Sequence, residues 1–274
     1  MATTDMPAFS TSVLPSNGQL LAEETEELLA ASLAAMRVDL DGNPAWDGAP
    51  PPSDDFLLMF LRSEVFSPSA AAERYRKFWK IKVSLCGEEK AALPIKLGDV
   101  EAGLKTEFIQ LVPGSKDIEG RQVLMLNAGN FDKKVPRNIR VLAMWYVVLA
   151  ALEDVETQRR GLCFVASHKT LTLRQQFEPK FQKMAMGSMQ GALPVRIGSM
   201  NMCYPRPFFR MIWTVVSPFL HERVKQRIRI FSGTDEEVRN ALRYIVEPEN
   251  LPAPMGEKPL DFSGWLTERA RNEA

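Results

Sequence analysis

The chain has 274 residues, of which 45% are hydrophobic and 25% are charged, and its 34 basic residues balance its 34 acidic residues. These values are those of a globular protein, so they exclude a disordered, collagen-like or coiled-coil chain. The neutral balance also argues against a globally basic nucleic-acid-binding protein. The length suffices for one large domain or two modest ones.

Cysteine usage and the first residues indicate the compartment. Cys86, Cys163 and Cys203 are widely spaced, which gives neither a disulfide framework nor the paired spacing of metal ligands. The chain begins Met-Ala-Thr-Thr-Asp, without the basic and apolar regions of a signal peptide. The longest apolar run, residues 141–152, is shorter than the roughly 20 residues that cross a bilayer. We therefore expect a cytoplasmic protein with reduced cysteines, and no metal or cofactor is indicated.

The first part of the chain carries helical patterns and no strand pattern. Residues 1–18 are polar and without periodicity, which predicts a mobile tail. Ser53 and the pair Ser67-Pro68 are suited to begin helices, because a serine oxygen accepts from unpaired amides and proline presets φ in the first turn. We predict a helical N-terminal domain over residues 19–95. Its helices are expected at residues 19–37, 54–61 and 68–83.

Beyond residue 95, short apolar runs alternate with longer amphipathic segments. Strands alternating with helices are typical of an α/β domain with a mainly parallel sheet, which we place at residues 96–265, before a C-terminal tail over 266–274. Strands are expected at residues 122–127, 161–166, 194–200 and 227–231. Helices are expected at residues 136–153, 177–189, 207–216, 217–226 and 234–245.

Local catalytic motifs are absent from the sequence. It contains no dinucleotide-binding Gly-x-Gly-x-x-Gly, P-loop, Gly-x-Ser-x-Gly or His-Glu-x-x-His pattern. His168 follows the second predicted strand, where a histidine can act as a base, but the sequence names no nucleophile for it. His221 lies in a first helical turn and is predicted to be a surface group. An enzyme is therefore the less favoured hypothesis.

Segment 205–231 combines a strongly apolar helix with basic side chains. Arg206 and Arg210 are four residues apart, as are Arg223 and Arg227, so each pair shares a helical face. Such a combination is typical of a surface that docks on membranes. On composition alone, a core helix with a solvated basic edge is the favoured alternative.

The α/β part is also rich in methionine and aromatic residues. Methionine fills irregular gaps and suits adaptable apolar pockets, although an ordinary core is the favoured explanation before any resemblance is considered. The residues in question are Val141, Met144, Trp145 and Val148 on one predicted helix, and Met184, Met186 and Met189 on another.

Taken in order, these segments resemble the CRAL-TRIO (Sec14-like) lipid-binding family, in particular the group of α-tocopherol transfer protein and cellular retinaldehyde-binding protein. The order and spacing of the similar stretches, over about residues 20–265, carry the resemblance. It implies a small helical N-terminal domain followed by a sheet floor with helices around it, which enclose one apolar cavity under a mobile gate helix at about residues 205–216. The similar stretches are residues 54–62, 75–79, 120–125, 156–162 and 192–233.

The resemblance also implies which residues form the sites. It places an apolar ligand against Val141, Met144, Trp145, Val148, Leu162, Phe164, Ala185, Met189, Leu193, Ile197 and Met200. It assigns the gate to Phe208, Phe209, Ile212, Trp213 and Val216. It assigns the binding of phosphoinositide head groups to Arg196, Arg223 and Arg227, whereas a fourth cation of the family aligns with Gly198.

The function implied by the resemblance is that of a non-catalytic, monomeric carrier. It would move one isoprenoid-type lipid, such as a carotenoid, a retinoid or a tocopherol-like compound, between membranes and bind phosphoinositides at their surface. Because Met144 and Val148 stand where tocopherol-binding members carry hydroxyl groups, we expect a ligand more apolar than tocopherol. The alternatives are a phosphoinositide-sensing adaptor that recruits a protein partner, and an enzyme that uses His168 or His221 on a lipid.

Overall fold

The computed structural model describes residues 23–172 and 177–273, so the tail predicted for residues 1–18 lies outside the described residues. The helices are α1 (Glu26–Gly42), α2 (Asp54–Ser63), α3 (Pro68–Cys86), α4 (Glu88–Ala91), α5 (Leu97–Leu104), α6 (Arg137–Ala151), α7 (Val155–Arg160), α8 (Pro179–Gly191), α9 (Phe209–Val216), α10 (Glu222–Lys225), α11 (Asp235–Leu242) and α12 (Phe262–Glu273). The strands are β1 (Ile109–Lys116), β2 (Gln122–Asn127), β3 (Leu162–Ser167), β4 (Ile197–Cys203) and β5 (Ile228–Phe231).

Helices α1 to α5 precede the sheet, and their starts follow local capping. The side chain of Ser53 accepts a hydrogen bond from the amide of Phe56 at 3.2 Å, which confirms the predicted cap of α2. Ser67 makes no such bond, so Pro68 at the first helical position is the remaining start signal of α3. Thr25 caps α1, which therefore begins at Glu26, later than the sequence predicted, and runs on to Gly42.

The first helices pack on the rest of the chain through aromatic rings and one ion-pair network. The ring of Phe78 on α3 stacks on Trp145 of α6, with centroids 5.0 Å apart. Oε2 of Glu24 lies 2.9 Å from guanidinium nitrogens of both Arg62 on α2 and Arg159 on α7. Aromatic pairs contribute about 0.5–1.5 kcal/mol beyond burial, so these contacts fix the helices against the sheet layer.

The sheet has five strands in the order β1-β2-β3-β4-β5. Strand β1 runs antiparallel to β2, and the other neighbours are parallel, which confirms the α/β class with a mainly parallel sheet. Strand β1 was not predicted from the sequence, because Pro113 and Gly114 interrupt it. An edge strand tolerates proline, and the pairing of β1 with β2 shifts register between Leu111 and Lys116.

The sheet separates two apolar cores. Leu124, Phe164 and Met200 point into the larger core, which also contains α3, α6, α8 and α9. Val123, Cys163 and Phe231 point to the opposite face, where α11 and residues 245–255 cover them. The larger core is the side on which the expected cavity must lie.

Other predicted elements also differ in the structure. Strand β4 begins at Ile197 rather than residue 194 and extends to Cys203. The continuous helix predicted over 217–226 is wrong, because Ser217–Phe219 form a 3-10 turn and α10 is a separate short helix. Ser217 caps neither of them, since its Oγ is buried and makes no hydrogen bond to a described residue. Residues 266–273, predicted as a tail, belong to α12, whose Glu273 accepts hydrogen bonds from Tyr146 and the amide of Leu97.

In the described ranges, no helix combines the length and apolar character that a membrane crossing requires. The same ranges hold no cluster of histidine, cysteine or acidic residues fit for a metal ion.

Candidate ligand cavity and basic cleft

A cavity of about 140 Å³ lies between the sheet, α8 and α9, on the side of the larger core. Its wall is apolar apart from His168 and Gln182, and phenylalanine, tryptophan and methionine occupy half of the positions. The lining residues are Phe108, Leu126, Ala128, Phe131, Met144, Ala166, His168, Leu171, Phe177, Phe181, Gln182, Ala185, Met186, Met200, Met202, Phe209, Ile212, Trp213, Val216 and Leu220.

Part of the predicted ligand set lines this cavity, namely Met144, Ala185 and Met200. Trp145 turns instead toward α3, where it stacks on Phe78. Met189 and Ile197 line a different cleft, described below. The rest are buried in the larger core without lining the cavity, and they are Val141, Val148, Leu162, Phe164 and Leu193.

Helix α9 forms one wall of the cavity along a single face. The lining residues Phe209, Ile212, Trp213 and Val216 follow the spacing i, i+3, i+4 and i+7 of one helical stripe. Phe208, also predicted for the gate, precedes the helix and does not line the cavity. The opposite face of α9 is exposed, and its Met211 retains 47% of its accessible surface.

Most residues of the cavity wall were not predicted from the sequence, although some of them follow regular spacing. Phe181 and Gln182 precede Ala185 and Met186 by one helical turn of α8, and Met202 follows Met200 on the same face of β4. Leu126 follows Leu124 by two residues on the predicted strand β2, whereas Phe108 and Phe131 gave no signal, because they flank the unpredicted strand β1 and the turn after β2.

His168 is the titratable group of the cavity wall. Its Nδ1 lies 3.2 Å from the carbonyl oxygen of Cys203, and its ring meets Phe209 of α9 edge-on at 5.3 Å between centroids. Burial lowers the pKa of His168 to about 4, although the carbonyl oxygens of Cys203 and Ala166 oppose this shift. The imidazole is therefore neutral at pH 7.

A second, basic cleft of about 390 Å³ lies where α3, α8, β4 and α10 meet. It brings together all three arginines predicted for the head group, Arg196, Arg223 and Arg227. Arg74 and Lys77 of α3 extend the basic wall. The sequence could not place α3 here, since the helix lies more than a hundred residues away in the chain.

The charges in this basic cleft do not cancel. Its acids each pair with a separate cation: Glu64 with Arg74, Glu73 with Lys77 and Glu222 with Lys225. Arg223 and Arg227 form no ion pair with any described residue. Burial lowers the pKa of Arg196, and the charges of Arg227 and Arg121 lower it further. Bound anionic groups would relieve this repulsion.

One side chain connects the cavity wall to the basic cleft. Nε2 of Gln190, at the end of α8, donates to the carbonyl of Phe219 at 3.0 Å, and its Oε1 accepts from the amide of His221 at 2.7 Å. Gln190 thereby holds the connecting turn (residues 217–221) between α9 and α10. The carbonyl of Gln190 in turn accepts from Arg74 at 3.0 Å.

The sheet floor, the apolar cavity and the amphipathic helix over it define an α/β protein with a covered apolar pocket. The profile of the CRAL/TRIO domain matches residues 105–256. The chain belongs to this family of lipid-binding and lipid-transfer proteins, as the resemblance predicted.

Individual relatives agree with the family. Clavesin-2 of Rattus norvegicus is 24% identical over 220 residues, which cover 77% of this chain and 64% of that protein. The alpha-tocopherol transfer protein-like protein of Mus musculus is 25% identical over 218 residues, covering 77% of this chain and 61% of that protein. The chain thus spans less than two thirds of the length of these relatives. The crystal structure of Sfh5 shares the fold, with a TM-score of 0.53, 9% identity, and coverage of 92% of this chain and 100% of that chain.

Proposed function

We propose that this protein carries one hydrophobic small molecule between membranes, with α9 as the gate. The observation that supports it best is the stripe of Phe209, Ile212, Trp213 and Val216, which closes the apolar cavity from one side. A helix that seals a cavity with one face and meets solvent with the other can move without unfolding the sheet. The role requires no chemical step.

The volume of the cavity explains why a gate must move. At about 140 Å³ it is smaller than the ~300–1,000 Å³ of pockets for drug-sized ligands. An isoprenoid lipid therefore enters only when α9 moves outward. Burying a few hundred Å² of such a ligand is worth on the order of 10 kcal/mol, so its escape into water is slow and exchange is confined to the membrane.

The proposed ligand is an isoprenoid-type lipid, such as a carotenoid, a retinoid or a tocopherol-like compound. Methionines from three elements line the cavity, with Met144 on α6, Met186 on α8, and Met200 and Met202 on β4. Their flexible side chains adapt to an irregular branched chain.

We further propose that Arg196, Arg223 and Arg227 bind phosphoinositide head groups and hold the protein peripherally on the membrane. The planar guanidinium fork grips phosphate oxygens bidentately, and the acids of the basic cleft are already paired. Gln190 lies between this cleft and α9, so the head group would bind directly next to the segment that moves.

The carrier role is tested by extracting the natively purified protein and identifying bound lipid by mass spectrometry. We expect one apolar ligand for each protein molecule. An empty protein after expression in a lipid-rich host, and no uptake from vesicles, would contradict the role.

The basic cleft is tested by replacing Arg223 and Arg227 together with Ala. Hydrogen bonds to charged groups contribute about 1.5–3 kcal/mol each, so binding to phosphoinositide vesicles should fall on the order of 100-fold while ligand capacity stays unchanged. The double variant Lys90→Ala with Lys105→Ala removes the same charge from exposed positions outside this cleft and is the matched control. Equal losses in both double variants would contradict the assignment.

A further inference from the structure

The wall of the cavity contains a hydrogen-bond acceptor at the end next to α9. Nδ1 of His168 lies 3.2 Å from the carbonyl oxygen of Cys203. Because a carbonyl oxygen only accepts, this contact assigns the ring proton to Nδ1 and leaves a lone pair on Nε2. Of the described residues, Cys203 accepts the short hydrogen bond of the ring, and the other backbone group that favours a proton on the ring is the carbonyl of Ala166, which likewise only accepts. Nε2 is therefore an acceptor that faces no protein donor among those residues.

The same end of the cavity contains a donor without an acceptor. Trp213 of α9 is 95% buried in the wall, at 5% exposure, and its indole Nε1–H makes no hydrogen bond to a described residue. Trp213 lies one helical turn after Phe209, whose ring contacts the imidazole of His168. Leaving a buried N–H unpaired costs about 1–3 kcal/mol, which a suitable ligand group would recover.

We infer that the cavity selects a lipid alcohol. A hydroxyl is the small group that can donate to Nε2 of His168 and accept from Nε1 of Trp213 at the same time. A hydrocarbon would leave both groups unpaired, and an ether or a ketone could satisfy Trp213 alone. A carboxylate would face the lone pair of a neutral imidazole. The inference rests on the proposed function and adds the polar end of its ligand.

This inference differs from the expectation of a ligand more apolar than tocopherol. That expectation rested on Met144 and Val148, which bring no hydroxyl to the cavity. The polar groups come instead from the end of β3 and from α9, with Gln182 of α8 in the same wall.

The test compares probes that differ at one end. Farnesol, its methyl ether and the hydrocarbon farnesene would compete with radiolabelled farnesol for the full-length protein, and the same series would be run with the 20-carbon homologues. We expect each alcohol to bind about 30-fold more tightly than its hydrocarbon, which lacks both hydrogen bonds of about 1 kcal/mol, and about fivefold more tightly than its ether, which keeps the bond to Trp213. His168→Leu and Trp213→Phe should each reduce this preference several-fold without weakening hydrocarbon binding, and His168→Gln, which keeps an acceptor, should restore part of it.

Trp79→Phe is the matched control. The indole Nε1 of Trp79 is also buried without a partner among the described residues, but Trp79 belongs to the aromatic cluster of α3 and does not line the cavity. Its replacement should leave the alcohol preference unchanged. Equal affinity of the wild type for all three probe types would overturn the alcohol inference and leave the carrier role standing. Binding of none of the probes at either chain length would overturn the carrier role itself.

Discussion

The side chain of Arg121 occupies the space over Gly198, the position in β4 at which the resemblance led us to expect a glycine in place of a cation. A Cβ atom at Gly198 would lie 2.3 Å from Cδ of Arg121. Arg121 is held there by Asp117, whose Oδ2 accepts from Nε at 2.7 Å, and both side chains are buried. Its charge contributes to the lowered pKa of Arg196 and Arg227. Arg121, the residue before β2, therefore brings a positive charge close to Arg196 and Arg227 of the basic cleft.

The first prediction follows from this contact. Gly198→Ala must displace Arg121 from Asp117, and breaking a buried ion pair costs about 3–5 kcal/mol. We expect the free energy of unfolding, measured with a chemical denaturant, to fall by about 3 kcal/mol. Gly187→Ala is the control, because its Cβ would meet nothing within 4 Å in α8 and alanine favours a helix. A Gly198→Ala variant as stable as the wild type would show that Arg121 moves freely.

The second prediction concerns Gln190, which holds the connecting turn through two hydrogen bonds. Gln190→Ala leaves the carbonyl of Phe219 and the amide of His221 without this partner. We expect faster hydrogen exchange over residues 209–221 and faster release of ligand to vesicles, with a loss of about 2 kcal/mol in stability. Gln226→Ala, at an exposed position beyond the turn, should change none of these. Unaltered exchange in Gln190→Ala would mean that other contacts hold the turn.

The face of the sheet on which a side chain lies could be predicted from sequence only where neighbouring strands pair regularly. The apolar runs of β2 and β3 predicted both buried strands, and their regular parallel pairing sets Leu124 beside Phe164 on one face. In β4 the pairing with β3 shifts between Leu162 and Cys163, opposite Ile197 and Ser199, with Gly198 between them. This bulge places Ile197 and Met200 in the same core despite their odd spacing, and no residue pattern indicates it.

In the cavity, too, some residues could be predicted from the sequence and others could not. The resemblance assigned Phe208, Phe209, Ile212, Trp213 and Val216 to the gate, and helical spacing places the last four on one face of α9. Trp145 was misplaced because α6 is apolar on every side, so periodicity could not tell its sheet-facing residues from those that meet α3. His168 could be singled out from sequence, but its partner Cys203 and neighbour Phe209 meet it only in the fold.

The third prediction concerns the exposed face of α9. Met211 retains 47% exposure there, so Met211→Asp puts a charge where the gate would meet lipid. Losing the burial of one such side chain costs about 1.5–3 kcal/mol, so transfer of a fluorescent lipid between vesicles should slow about tenfold or more while ligand affinity stays unchanged. Tyr244→Asp, with 62% exposure on the far side of the sheet, is the matched control and should transfer at the rate of the wild type. Equal slowing of both variants would indicate a general charge effect.

The fourth prediction is a dependence of stability on pH that comes from His168. Burial holds the pKa of the native imidazole at about 4, below the value of 6.5 in an unfolded chain. Between these values the unfolded state binds a proton that the native state excludes, so stability is full above pH 6.5 and falls as the pH drops toward 4. The loss amounts to at most about 3 kcal/mol, and between pH 6.5 and 5 it precedes the titration of ordinary carboxyl groups. Denaturant unfolding of the wild type should show this slope, and His168→Gln, which cannot take up the proton, should flatten it. His221→Gln is the control and tests whether replacing an exposed histidine also flattens the dependence of stability on pH. If His168→Gln kept the dependence of the wild type, His168 would not be its origin.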